Sequence, residues 1–236
     1  MDKENRQLQH KILNIFAKKT KTFALTGGTA LELYYLYHRF SVDLDFFSPI
    51  YDVKEINEIV KEFKKETRLN IKLESEFIAP NMAKVRFYSV PIKSTKRSLK
   101  LDFVEDVIFD KPKIKYFDGV PVYDVKIIYL QKITTITGLS IKENDVGAEI
   151  MEGRRKARDV FDIYMLSKKI EPLHLFLKTL PRQIQRGMIY WYQTFSRQDL
   201  KFDLLDMDIY IKNFDSREMI IYLENEVKKF MAEEIE

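Results

Sequence analysis

The chain has 236 residues, 40 Lys and Arg against 36 Asp and Glu, and a formal net charge of +4. That length allows one large domain or two small ones, and the mild charge permits a nucleic-acid partner without arguing for one. Cysteine is absent, which rules out disulfides, thiolate nucleophiles and cysteine zinc sites and fits an intracellular setting. No apolar run approaches the ~20 residues that span a bilayer, and the polar opening MDKENRQLQHK does not read as a signal peptide.

Residues 4–18 read as an opening helix with Leu8, Ile12, Ile15 and Phe16 on one face. The chain is organised around the stretch from Phe23 to Ser48. Ala24 and Leu25 lead into Thr26-Gly27-Gly28-Thr29, where two glycines permit φ > 0 and leave no Cβ between the backbone and a bound group. The amides of a turn that opens a helix point at an anion seated there. Ala30, Leu33, Tyr34 and Tyr37 then fall on one helical face. Ser41 to Phe47 alternates, so Asp43 and Asp45 share one strand face while Val42, Leu44 and Phe46 share the other. Such a carboxylate pair suits Mg²⁺, which is held by one or two carboxylates plus substrate phosphates. The plainer alternative is a half-buried strand with a solvated polar face.

Pro49 ends that strand, and Asp52 is placed to cap a helix over 53–67 with Val53, Ile56, Ile59, Val60 and Phe63 inward. Three extended segments are expected next. In 70–77, Ile71 and Leu73 alternate with Lys72 and Glu74. After a turn at Ala79-Pro80-Asn81, Val85 and Phe87 alternate with Lys84, Arg86 and Tyr88 in 82–90. In 98–104, Lys100, Asp102 and Val104 fall together. From Val120 the pattern changes to helix. Asp124 caps 125–137, where Lys132 lies among Ile128, Tyr129 and Ile136 and either snorkels or points into a site.

Gly138 to Gly153 reads as an irregular polar loop. Arg154 to Lys168 reads as a helix with Ala157, Val160, Phe161 and Tyr164 on one face, and Arg158 with Asp162 at i, i+4 suggests a surface ion pair. Helices over 172–180, 181–195 and 216–231 complete the chain, the last with Ile220, Leu223, Val227 and Phe230 inward. The Tyr190-Trp191-Tyr192 cluster suits a core or a subunit interface more than a base platform. Two basic clusters, Lys93-Lys96-Arg97-Lys100 and Arg154-Arg155-Lys156-Arg158, are solvated faces or guides for an RNA backbone. His10, His38 and His174 show no metal-ligand spacing, and neither a Walker nor a nucleophile-elbow motif occurs.

Gly27-Gly28-Thr29-Ala30-Leu31, followed by His38-Arg39-Phe40-Ser41-Val42-Asp43-Leu44-Asp45-Phe46-Phe47, resembles the signature of the AbiEii/AbiGii toxin family, part of the DNA polymerase β-like nucleotidyltransferase superfamily. The resemblance extends to Lys100-Leu101-Asp102, to Lys132, and to Arg158, Asp159, Asp162 and Leu166. It implies an α+β fold: a nucleotidyltransferase core of mixed or antiparallel sheet flanked by helices in 1–120, then a helical region in 121–236 that packs on the core and completes the active site. It further implies that Asp43, Asp45 and Asp102 bind Mg²⁺ (or Mn²⁺) and act in catalysis with Lys132. Gly27, Gly28, Thr29, Arg39, Ser41, Lys132 and Arg158 would contact the nucleotide, supported by Asp159 and Asp162, and His38-Arg39 would brace the site.

The activity so implied is transfer of a nucleoside monophosphate from an NTP to an RNA such as tRNA, or to a protein. The protein would be the cytoplasmic toxin of a bacterial toxin–antitoxin or abortive-infection pair, with a cognate antitoxin as partner and no membrane association. Two alternatives share the scaffold: a nucleotide- or partner-binding protein without turnover, and a small-molecule, antibiotic-type nucleotidyltransferase. The presence of all three candidate carboxylates weighs against the first.

Overall fold

A computed structural model describes residues 3–79, 82–92, 98–138, 141–143, 149–151 and 153–233, with 141–143 and 149–151 as backbone alone. The expected turn around Pro80 and Asn81 and the basic residues Lys93, Lys96 and Arg97 lie outside the described residues. The chain divides into two units, one of 1–35 with 41–127, the other of 36–40 with 128–236.

The first unit begins with helix α1 (Lys3–Lys19), strand β1 (Ala24–Thr26) and the short helix α2 (Gly27–Ala30), continued by a π-helical turn over Leu31–Leu36. Strand β2 (Leu44–Ser48), helix α3 (Val53–Thr67) and strands β3 (Lys72–Phe77), β4 (Val85–Pro91), β5 (Ser98–Glu105), β6 (Ile114–Phe117) and β7 (Val120–Tyr123) come next. The strands form one mixed sheet in the order β3-β4-β5-β2-β1-β7-β6. β2 pairs with β5, and β1 with β7, in parallel; the other neighbours are antiparallel.

One sheet face carries Leu44, Phe46, Leu99, Leu101 and Phe103 into the core with Ile12, Leu13 and Phe16 of α1 and Ile56, Ile59 and Phe63 of α3. Phe16 stacks on Phe46 with ring centroids 4.1 Å apart. Burying side chains of this size stabilises the fold by about 1.5–3 kcal/mol each, which is why a 15-residue helix as charged as α3 holds its place. Asp52 caps that helix by accepting from the Lys54 amide at 2.8 Å.

Four local expectations are corrected. Asp43 precedes β2 instead of lying within it. The π-helical turn, whose hydrogen bonds run i→i+5, changes the phase after Gly28: Leu31 and Glu32 are buried, while Tyr37 is exposed at φ 47°. In β4 the expected inward set is reversed, since Tyr88 and Val90 are buried whereas Val85 and Phe87 stay half-exposed. Residues 120–123, taken as the start of helical character, are a buried strand of this sheet, with Val122 opposite Leu25.

The second unit contains most of helix α4 (Val125–Thr137), which crosses the division, then strands β8 (Ile141–Glu143) and β9 (Glu149–Met151). Helices α5 (Ala157–Lys169), α6 (Leu173–Lys178), α7 (Arg182–Thr194), α8 (Arg197–Leu205) and α9 (Ser216–Glu233) complete it. The segment 138–153, expected to be irregular, contains an antiparallel pair with Ile141 opposite Met151. Phe161, Leu166, Leu177, Met188, Leu223, Val227 and Phe230 form the core of this unit. Residues 36–40 are held to it by the backbone: the Tyr210 amide donates to the His38 carbonyl at 2.9 Å and the Phe40 amide to the Asp208 carbonyl at 2.8 Å. Among the described residues, no helix is long and apolar enough to cross a membrane.

Candidate active site

The face of the first unit's sheet opposite its core carries the candidate carboxylates. Asp45 and Asp102 are register partners on the parallel strands β2 and β5, so their side chains leave the same face about 4.8 Å apart at the backbone. Both are half-buried. Asp45 is also the partner of Thr26 at the end of β1, which puts the glycine turn directly beside it. Gly27 sits at φ 73°, and a Cβ there would lie 2.1 Å from Asp45 Oδ2. The turn therefore needs glycine twice over, for its left-handed backbone and for the carboxylate packed against it.

Asp43 is anchored through its backbone, since the Thr29 hydroxyl donates to its carbonyl. Thr29 is fully buried. Its side chain thus fastens the helix start to the chain just before β2. Ser41 is fixed in the same way, its amide donating to Glu32 Oε2 at 2.8 Å and its carbonyl accepting from Gln9 Nε2 at 2.9 Å. Gln9 Nε2 also reaches the Val42 carbonyl at 2.7 Å, and Arg6 pairs with Glu32.

These supports were not foreseen from the sequence. Their one signal is a polar residue where a helix turns an apolar face inward: Gln9 three positions before Ile12, and Glu32 inside LELYYL. Glu55 is a further case, since it accepts from the Lys21 and Thr22 amides at 2.6 and 3.0 Å and ties down the approach to β1. Of the acidic residues that follow Asp102, Glu105 pairs with Lys84 at 2.9 Å. Asp106 is buried and accepts from Tyr123 Oη at 2.9 Å.

Among the described residues, no three His, Cys, Asp or Glu side chains gather as a metal cluster. The pair Asp45 and Asp102 nevertheless fits a divalent cation, because hard carboxylate oxygens are the donor set Mg²⁺ takes together with substrate phosphates. The cradle at Gly27 is consistent with this, for a phosphate on the turn would face the Asp45 oxygens and need a cation between them.

In the second unit, Arg39, Lys132, Asp159 and Asp162 join one buried ion cluster. Asp162 is fully buried. Its Oδ1 meets Arg39 Nε and His38 Nε2, each at 2.7 Å, and its Oδ2 meets Arg39 Nη2 at 2.7 Å and Lys132 Nζ at 2.8 Å. Lys132 Nζ also lies 2.8 Å from Asp159 Oδ1, while Arg154 Nη2 lies 2.7 Å from Asp159 Oδ2. Burial alone would raise the Asp162 carboxyl, but Arg39 and Lys132 overcome it and hold the group well below its usual range. Asp159 is lowered likewise, with burial opposed by Lys132 and Arg154. Burial pulls the Lys132 amine down, and Asp162 with Asp159 more than reverses that, leaving it raised.

Lys132 is 7% exposed, so it does not snorkel, and its ammonium lies between the Asp159 and Asp162 carboxylates. The expected surface pair of Arg158 with Asp162 is also corrected: Asp162 is buried in the cluster while Arg158 is exposed on α5. Arg154, whose role the sequence left open, belongs to the cluster.

A mixed sheet with two aspartates in register beside a helix-opening glycine turn defines a polymerase β-like nucleotidyltransferase fold. Two solved structures from Helicobacter pylori share it. One, described as a candidate nucleotidyltransferase, has a TM-score of 0.58 and 20% identity over 98% of this chain and 96% of its own. The other has a TM-score of 0.57 and 20% identity over 99% of this chain and 96% of its own. None of the curated proteins matches the sequence. Residues 11–229 match the family described as nucleotidyl transferase AbiEii toxin, type IV TA system, and the chain belongs to that family.

Proposed function

We propose that this protein transfers a nucleoside monophosphate from an NTP to an acceptor hydroxyl, as the toxin of a toxin–antitoxin pair with a cognate antitoxin as partner. The observation that carries this is the register of Asp45 with Asp102 beside the Gly27 turn. The turn amides of Gly27 and Gly28 would hold the terminal phosphates. Asp45 and Asp102, with Asp43 just before β2, would hold Mg²⁺, or Mn²⁺ in its place, and the cation when bound would neutralise the triphosphate charge. Asp102 accepts the proton of the acceptor hydroxyl as its oxygen attacks the α-phosphorus. A new P–O bond forms, the bond from the α-phosphorus to its bridging oxygen breaks, and pyrophosphate leaves with that electron pair. Positioning and charge neutralisation supply most of such a rate enhancement.

Incubation with each α-labelled NTP, Mg²⁺ and total bacterial RNA, with Asp45→Asn in parallel, tests the proposal. Label on RNA or on protein that is absent with the variant is the expected result. Absence of label from all four NTPs, together with no Mg²⁺-NTP binding by calorimetry, would overturn it.

A further inference from the structure

The carboxylate-bearing face continues well beyond the carboxylates. Its central row runs Asp45, Asp102, Phe87 and Ser75 across β2, β5, β4 and β3. Residues paired across strands share a face, so Phe87 stands beside Asp102 at one strand spacing, about 4.8 Å. The next row is Phe47, Val104, Val85 and Phe77. Phe77 is 59% exposed, and its ring meets Phe87 edge-on with centroids 6.0 Å apart. The row on the other flank is Lys100, Ser89 and Lys72, both lysines exposed, with Ser89 donating to Glu74. The core of the sheet lies on the opposite face, where Tyr88 and Val90 are buried, so core packing does not account for Phe87 and Phe77.

We propose that Phe87, backed by Phe77, is the platform on which the terminal base of a single-stranded RNA acceptor stacks, with Lys100 and Lys72 toward its phosphates. This rests on the nucleotidyl-transfer reading of the same site. Strand order gives the direction. The glycine turn ends β1 on one side of the carboxylate pair, and Phe87 lies on the other. A donor held at the turn leaves the far side of Asp102 to the acceptor, and Asp102 is the group assigned to the acceptor hydroxyl. Aromatic rings stack on any base, and lysines alongside follow the backbone charge.

Two measurements on the full chain separate this proposal from the reading it rests on. The first is fluorescence anisotropy with a fluorescein-labelled single-stranded RNA dodecamer of mixed sequence, without nucleotide. Phe87→Leu keeps apolar bulk but loses the ring and should weaken binding about fivefold or more, whereas Phe87→Trp should bind as tightly as the native chain or more so. Equal binding by the Leu variant, or no binding by the native chain, would overturn the platform. The second is label transfer, in which Phe87→Leu should raise the KM for RNA and leave that for the NTP unchanged. A matching rise in the NTP KM would assign Phe87 to the donor base and also overturn the proposal. RNA binding that depends on Phe87, with neither transfer from any NTP nor Mg²⁺-NTP binding, would sink the enzymatic reading while leaving the platform standing; transfer indifferent to Phe87 would do the reverse.

Discussion

Asp45 fills the space that a side chain on Gly27 would need: the nearest approach of an added Cβ is 2.1 Å, to Oδ2. The turn and the carboxylate are therefore one mechanical unit. Gly27→Ala must adopt φ 73° with a Cβ, a strain of about 1–2 kcal/mol, and must also push Asp45 aside. A displacement of that size in a reacting constellation costs on the order of 100-fold in rate. The expected outcome is a folded protein, by far-UV circular dichroism, with label transfer reduced about 100-fold. Near-native transfer would detach the turn from the chemistry.

Asp45 and Asp102 face each other as like charges on neighbouring strands. Such pairs destabilise a sheet by a few tenths of a kcal/mol up to about 1. Asp45→Asn and Asp102→Asn should each lower transfer by about 100-fold or more while leaving Tm unchanged or slightly raised. Mg²⁺ should raise the Tm of the native chain and do so less in either variant. A variant that keeps the native Mg²⁺ response would lose its place as a metal ligand.

The glycine turn and the strand that carries Asp45 were legible because they are local. Two glycines, an alternating Asp-Leu-Asp and a capped amphipathic helix each declare themselves within ten residues or so. What the sequence hid depends on partners far along the chain. Lys132 reads as either snorkelling or pointing into a site until Asp159 and Asp162 arrive from another helix. Phe87 reads as core because alternation gives two faces but not which one is buried; that is set by β5, whose Leu99, Leu101 and Phe103 face inward. Gln9 and Glu32 read as surface polar residues until the chain before β2 offers them backbone partners. The π-helical turn leaves no pattern that a 3.6-residue period would detect.

The buried cluster makes Lys132 a stability residue. Lys132→Met leaves Asp159 and Asp162 without one of their cations in a dry site, a change that typically costs about 3–5 kcal/mol. Urea unfolding should show a loss of that order, with the Mg²⁺-NTP affinity of the folded protein little altered. The opposite pattern, native stability with nucleotide affinity lost, would restore Lys132 to the triphosphate.

Acid should unfold the second unit through the same cluster. Asp159 and Asp162 are held below the usual carboxylate value in the folded chain, so the unfolded chain binds protons first as pH falls. Their stabilisation is complete above the unfolded value, near pH 4, and is lost as pH drops through the folded values below it. Each carboxylate adds a slope of up to about 1.4 kcal/mol per pH unit in that window. Unfolding free energy attributable to these groups should thus be flat from pH 8 to about 5 and fall below pH 4. Asp162→Asn, less stable at neutral pH because Arg39 and Lys132 lose their shared counter-charge, should show a shallower acid slope by the share of one carboxylate. An acid limb as steep as that of the native chain would mean that Asp162 does not carry the linkage and that the loss of stability at low pH originates at other carboxylates.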